Sequence, residues 1–276
     1  MNYKIIALDL DGTLLDSNKK LSQANYDAIK KASDAGIEIV PCTGRYYSLM
    51  PEVIRNLDFV NYAIIINGAQ ILDIKNKKMV YDASISVEDS LKVMNFLDTI
   101  DCIYDCYMDD QAYISDDHHN RVDEFNLTEH YYNMWLNIRK PVGDLKEFIK
   151  KQNKPIQKMQ FIFKDPNMNA ELLEKVKNEF PYLNVSTSMP FNIEINDTKA
   201  NKGLAITRLA EYIGCDISQT VGMGDGLNDF DLLKTTGLSV AMANSHPEVL
   251  KIADYISEDC DHDGVAKAID KLILKW

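Results

Sequence analysis

No apolar run in this 276-residue chain approaches the roughly 20 residues that a membrane-spanning helix needs. The sequence therefore predicts no transmembrane segment. Cysteine is scarce: Cys42, Cys102, Cys106, Cys215 and Cys260, with no C-x-x-C pair among them. The odd count argues against a disulfide framework and predicts reduced thiols in a cytoplasmic protein. Positive charge is short, with 30 Lys and Arg against 42 Asp and Glu and a net charge of −12. An acidic surface repels nucleic acid and anionic membrane, which sets both aside as partners. Residues 1–10 carry one short apolar run and neither a basic segment before it nor a small-residue cleavage site after it, so no secretory leader is expected. The N-x-[ST] triplets at Asn126, Asn184 and Asn196 then have no glycosylation to report. Neither G-x-x-x-x-G-K-[ST] nor G-x-G-x-x-G occurs, so no P-loop or dinucleotide turn is encoded. What is present is ordinary globular composition, 46% hydrophobic and 26% charged. The length suits one large domain or two smaller ones.

Strand and helix signals alternate at the start. Residues 3–10 are apolar and β-branched, as a buried strand should be. Ser22 fits the cap of a helix running to Ala35, with Gly36 just past its end. Residues 37–42 and 63–66 read as further strands, with a helix at 47–57 that contains an awkward Pro51. This β-α-β-α-β order predicts a parallel sheet covered by helices. Residues 70–73 and 79–81 then flank a polar turn and read as a hairpin. The middle block is less regular. It offers helices at 88–100 and 169–179 and strands at 103–108, 112–115 and 157–163, while 116–140 shows no clear period. The first pattern returns after Phe191, with strands at 192–195, 220–223, 238–241 and 254–256. Helices are expected at 202–213, 227–233, 247–252 and 265–275. Two halves of an α/β sheet thus bracket an α+β insertion.

Four pieces carry chemistry. Asp9 and Asp11 follow the first strand, and carboxylates at i and i+2 share one side of an extended chain. Placed together they repel, and each resists ionisation unless a cation intervenes. Magnesium suits such a pair, and a carboxylate can also attack phosphorus. Thr43 and Gly44, at the end of the second strand, offer a hydroxyl and an N–H to phosphate oxygens. Lys202 opens a helix, where its charge opposes the macrodipole, so an anion partner is expected. Gly222-Met223-Gly224-Asp225-Gly226-Leu227-Asn228-Asp229 leaves a strand with glycines that permit close approach and with acids that suit a metal. Each piece alone has a plain structural explanation: an Asp-Gly turn, a strand-to-helix turn, a solvated Lys (Lys199 competes for the role), and an Asp-capped loop.

Taken in order, DLDGTL, TGR, Lys-Gly and GDGLND resemble the four motifs of the haloacid dehalogenase superfamily of phosphatases. The gap between Asp11 and Thr43 is too short for a domain, and the gap between Thr43 and Lys202 is long enough for one. That spacing resembles the C2-capped branch, the Cof-like hydrolases, as do Ile66-Asn67-Gly68-Ala69, Ala241-Met242-Ala243-Asn244 and Asp263-Gly264-Val265. The resemblance implies a doubly wound, parallel-sheet, Rossmann-like core at 1–82 and 190–276 with a C2-type α+β cap at 83–189. It implies a magnesium-dependent phosphatase. Asp9 would be nucleophile and metal ligand. Asp11 would be general acid and base, and would ligate the metal through its carbonyl. Asp225 would be the third protein ligand, with Gly226 or Asp229 contributing to the metal or orienting Asp225. Leu10, Thr43, Gly44, Lys202 and Asn228 would hold the phosphate. Arg45, with Asp109, His118 and Arg121 of the middle block, is a candidate for substrate contact. Two departures stand out: Asn201 occupies a position where Ser often precedes the Lys, and Ala243 replaces a frequent Gly. The substrate class is a small phosphorylated metabolite: sugar phosphate, nucleotide or cofactor phosphate. A phosphomutase and a non-catalytic binding module are the alternatives, and monomer and homodimer are both open.

Overall fold

The structure is a computed structural model that describes residues 3–125, 127–187 and 189–274, and only the backbone of His130. Asn126, which opens one N-x-[ST] triplet, and Lys275, the expected end of the last helix, lie outside the described residues. The chain divides into two units, Met1–Asp82 with Ala200–Trp276, and Ala83–Lys199.

The first unit is built on a five-stranded parallel sheet. Its order is Tyr255–Ile256, Leu238–Ala241, Thr220–Gly224, Ile5–Leu8, Glu38–Pro41. Ile5, Ile6, Ala7 and Leu8 are all fully buried, the continuous apolar run expected of a strand covered on both faces. Ile5, Ala7 and Val40 pack against Ala205, Ile206 and Leu209 of the helix Lys202–Ile213. Ser22 caps the helix Gln23–Asp34 by accepting from the Asn25 N–H, and Gly36 follows with φ of 85°. The chain is an α/β protein with a doubly wound parallel core and an inserted α+β unit.

Among the described residues, four departures from the expected pattern bear on the architecture. The segment expected at 63–66 forms the strand Tyr62–Ile65. It pairs antiparallel with Gln70–Asp73, which pairs in turn with Lys78–Asp82. A Cys42–Ile64 bridge links it in parallel fashion to the main sheet, with the Thr43 N–H donating to the Ile64 carbonyl at 2.9 Å. The hairpin directly after it captures the strand's other edge. The helix expected at 47–57 is split by Pro51 into a 3-10 turn, Tyr47–Leu49, and a short helix, Glu52–Arg55. Proline lacks the N–H that a continuous helix needs there. The stretch at 116–140 contains the helices Asp116–Asn120 and Glu129–Ile138 and a 3-10 turn, Val122–Glu124.

The fourth departure moves a domain boundary. Asn192–Asp197 does not join the parallel core. It lies in the six-stranded sheet of the second unit, antiparallel to both Lys158–Phe163 and Leu183–Ser186. The crossing back to the first unit therefore falls at 199/200, not at 189/190. The sequence has the reason. Asn192, Glu194 and Asn196 alternate with Ile193 and Ile195, a two-sided pattern foreign to a strand buried on both faces. Ile193 and Ile195 join Phe161, Met159 and Cys106 in an apolar core with the helices Val87–Leu97, Leu145–Gln152 and Asn169–Glu179. On the other face Lys158 pairs with Glu194 at 2.9 Å, and Arg139 pairs with Asp105 while stacking 3.6 Å over the Trp135 ring.

The turn Ile66–Gly68 carries three successive positive φ angles, 52°, 55° and 91°. A β-branched residue in that region is an outlier, and such strain clusters at functional sites. At Gly68 a Cβ would stand 2.3 Å from the Asn201 carbonyl oxygen, immediately before Lys202. Gly68→Ala is expected to cost about 2–4 kcal/mol of unfolding free energy in a denaturant titration, from strain and overlap together. An unchanged unfolding midpoint would contradict this packing.

Candidate active site

The first strand ends at Leu8, and the Asp9 N–H donates to the Met223 carbonyl of the neighbouring strand at 3.0 Å. Asp9 thus sits at the carboxyl edge of the parallel sheet, where ligands of open α/β folds bind. The chain then turns. Leu15 N–H reaches back to the Leu10 carbonyl at 2.9 Å, and Gly12 adopts φ of 90°. Because the chain is a turn here and not extended, Asp9 and Asp11 face different partners.

The Lys202 ammonium, fully buried, donates to Asp9 Oδ1 and to Asp229 Oδ1, each at 2.6 Å. Its helix begins with Asn201 as cap, the Asn201 side chain accepting from the Leu204 N–H at 2.6 Å. The lysine that opposed its own helix dipole has two anion partners. Burial works against its charge, but Asp229 and Asp9 outweigh that and hold its pKa above the ordinary range.

Asp9, Asp225 and Asp229 bring carboxylate oxygens within 4.8 Å of one another. Burial, then the charge of Asp229, pushes the Asp9 carboxyl well above the usual range. The same two causes push Asp225 up to about 6. Both oxygens of Asp229 are engaged: Oδ1 with Lys202, and Oδ2 with the Asp225 and Gly226 N–H groups at 3.0 and 2.9 Å. Asp225 accepts from the Thr13 hydroxyl at 2.9 Å through Oδ1 and from the Asn244 amide at 3.3 Å through Oδ2. Three carboxyl groups face one ammonium, an excess of acids over cations. The oxygen donor set and that excess suit a divalent cation.

Asp11 is the opposite case. Arg45 grips it as a fork, Nε to Oδ2 and Nη2 to Oδ1, both at 2.8 Å, and Lys19 adds an ion pair at 3.0 Å. Burial pushes its carboxyl up, but the Arg45 and Lys19 contacts outweigh burial and hold it below the ordinary value. The expectation that both acids would resist ionisation therefore fails for Asp11. Arg45 Nη1 also donates to the Leu49 carbonyl at 3.2 Å. Thr43 is buried, its hydroxyl accepting from the Arg45 N–H at 3.2 Å. Gly44 lies against Asn67; a Cβ there would be 2.8 Å from Asn67 Oδ1, which accepts from Asn228 Nδ2 at 3.3 Å.

Asp9, Leu10, Asp11, Thr43, Gly44, Arg45, Lys202, Asp225, Gly226, Asn228 and Asp229 all belong to the first unit. Asp109, His118 and Arg121 belong to the second and have partners there: Lys154; the Tyr104 backbone; and Asp101 with Glu124. Thr13, Asn67 and Asn244 join the site without having been singled out. Thr13 sits inside DLDGTL, and the other two sit in stretches noted for resemblance alone, so only their loop context signalled them.

A parallel α/β fold with its polar side chains gathered at the carboxyl edge of the sheet defines a Rossmann-like enzyme. The chain belongs to the haloacid dehalogenase-like hydrolases, whose family model matches residues 6–269. It is 30% identical to the 5-amino-6-(5-phospho-D-ribitylamino)uracil phosphatase YcsE of Bacillus subtilis (strain 168), over 99% of this chain and 97% of that protein. It is 27% identical to the 5-amino-6-(5-phospho-D-ribitylamino)uracil phosphatase YwtE of the same strain, over 98% of each. A crystal structure of a haloacid dehalogenase-like hydrolase from Bacteroides thetaiotaomicron matches with a TM-score of 0.82 at 26% identity, covering 98% of this chain and 100% of that one. The chain is a phosphatase of this family, with a Rossmann-like core and a cap. Among the described residues no helix is long and apolar enough to cross a membrane.

Proposed function

We propose that this phosphatase hydrolyses a small phosphate monoester with magnesium, through an aspartyl phosphate formed on Asp9. The observation that carries the reading is the Lys202 ammonium bound at once to Asp9 and Asp229 inside a cluster of three carboxylates. Asp9 has one oxygen on Lys202 and presents the other for attack on phosphorus. Lys202 offsets the repulsion between that carboxylate and the incoming phosphate. Asp9, Asp225 and the Asp11 carbonyl would hold the magnesium ion, which when bound supplies charge stabilisation to the phosphoryl oxygens. Thr43, Gly44, Asn228 and the Leu10 N–H orient the remaining phosphate oxygens. Asp11 would act as general acid once the substrate has displaced Arg45 and Lys19 from its carboxyl and it has taken up a proton; it gives that proton to the leaving alcohol and then takes one from the water that cleaves the acyl phosphate. Asp229, with Lys202 on one oxygen and two backbone N–H groups on the other, fixes the loop that carries Asp225.

For substrate class, the names of YcsE and YwtE point to a phosphorylated ribityl compound, beside sugar, nucleotide and cofactor phosphates. The five cysteines are free, which supports a reducing, cytoplasmic setting.

The test is phosphate release from a panel of those esters, with magnesium and after chelation. Chelation is expected to lower turnover about 10²–10³-fold, the effect of losing several kcal/mol of charge stabilisation. Because Asp225 must lose its proton to ligate, magnesium activation weakens as pH falls below about 6. Unchanged turnover in chelator sinks the metal assignment. An isomerised phosphate ester in place of inorganic phosphate sinks hydrolysis.

A further inference from the structure

We infer that Asn244 is a positioning residue of the cation site, acting through Asp225. The inference rests on the reading of Asp225 as a cation ligand. Asn244 lies just past the strand Leu238–Ala241, and its amide joins three loops. Nδ2 donates to the Gly12 carbonyl at 2.9 Å and to Asp225 Oδ2 at 3.3 Å, while Oδ1 accepts from the Cys260 N–H at 3.0 Å. Asparagine is suited to this: one end donates to a carbonyl and a carboxylate while the other accepts from an N–H. Thr13 grips the remaining oxygen of Asp225. Asp225 is thus held from both sides, and its carboxylate plane is set by two donors from different parts of the chain. The fit is close, because a Cβ at Gly12 would stand 2.5 Å from Asp225 Oδ2. No other side chain donates to Asp225 Oδ2 among the described hydrogen bonds. Groups that orient a ligand in this way typically govern metal affinity by 10–100-fold.

The experiment measures magnesium binding by calorimetry in the full chain, beside the melting temperature without metal. Asn244→Ala is expected to weaken magnesium binding roughly 10–100-fold, with turnover recovering at saturating magnesium and the metal-free melting temperature little changed. Asn244→Ser, which keeps one donor, should fall between it and wild type, and it serves if the alanine variant does not fold. Asp225→Asn is the control. If Asp225→Asn loses magnesium binding while Asn244→Ala and Asn244→Ser match wild type, the positioning role is overturned and the ligand assignment stands. If wild type binds no magnesium, or Asp225→Asn binds it as well as wild type, the ligand assignment falls and this role with it.

Discussion

Asp9→Asn is expected to lower phosphate release at least about 10⁴-fold while leaving the fold intact. Asparagine has nearly the shape of aspartate, so the backbone bond from residue 9 to the Met223 carbonyl and the turn through Gly12 lose nothing. What it lacks is the anionic oxygen proposed to attack phosphorus. The same change removes one of three crowded negative charges. The Asp9 carboxyl is held above its usual range by burial and by Asp229, so ionised Asp9 is a cost to the folded chain without metal. The variant's metal-free melting temperature should therefore equal or exceed that of wild type, even as activity disappears. Acid quenching during turnover should trap phosphorylated protein in wild type and none in the variant. A variant that releases phosphate at near the wild-type rate removes Asp9 as the nucleophile.

The legible part of this site was the part whose residues violate a local rule. Lys202 at a helix start opposes the dipole, and acids after an apolar strand invite repulsion; both needed a partner, and the structure supplies each to the other. What stayed hidden was set by contacts between distant loops. Asp11 looks like Asp9 on paper, and Arg45, 34 residues further on, together with Lys19, makes its carboxyl the more acidic of the two. Asn244 and Asn67 sit in loops whose local pattern announces nothing, since their amides act across separations of 232 and 161 residues. The core strands were readable because burial on both faces leaves a run such as Ile5–Leu8 wholly apolar. The strand expected at 192–195 reads in chain order as part of the core, whereas the observed Asn192–Asp197 lies in the other sheet, as its alternation requires. Chain order suggested a return to the core, and periodicity was the better guide.

Lys202→Met tests the same balance from the cationic side. Lys202 is fully buried and satisfies two carboxylates at once. Its removal leaves Asp9, Asp225 and Asp229 without an ammonium in a place water reaches poorly. Breaking a buried pair in this way costs about 3–5 kcal/mol, mostly the penalty of the anions left behind. At about 2–4 °C per kcal/mol, the metal-free protein should melt on the order of 10 °C lower. The sign of the pH dependence follows from the raised carboxyls. A group whose folded pKa lies above its unfolded value is penalised at high pH and relieved as it takes a proton. The deficit of Lys202→Met should therefore be largest well above pH 6 and shrink as pH falls through that value, where Asp225 already gains its proton in wild type. Magnesium supplies the positive charge that the variant lacks, so its stabilising effect on melting should be larger in Lys202→Met than in wild type. Turnover should not recover with it, because in the proposed mechanism the phosphate would lose its ammonium partner; a drop of about 10³-fold is expected at saturating magnesium. Arginine should not rescue the site, since a planar guanidinium does not fit the space of a compact, fully enclosed ammonium. A methionine variant that melts with wild type at every pH and keeps its turnover would mean that the Lys202 contacts to Asp9 and Asp229 contribute neither to folding nor to phosphoryl transfer.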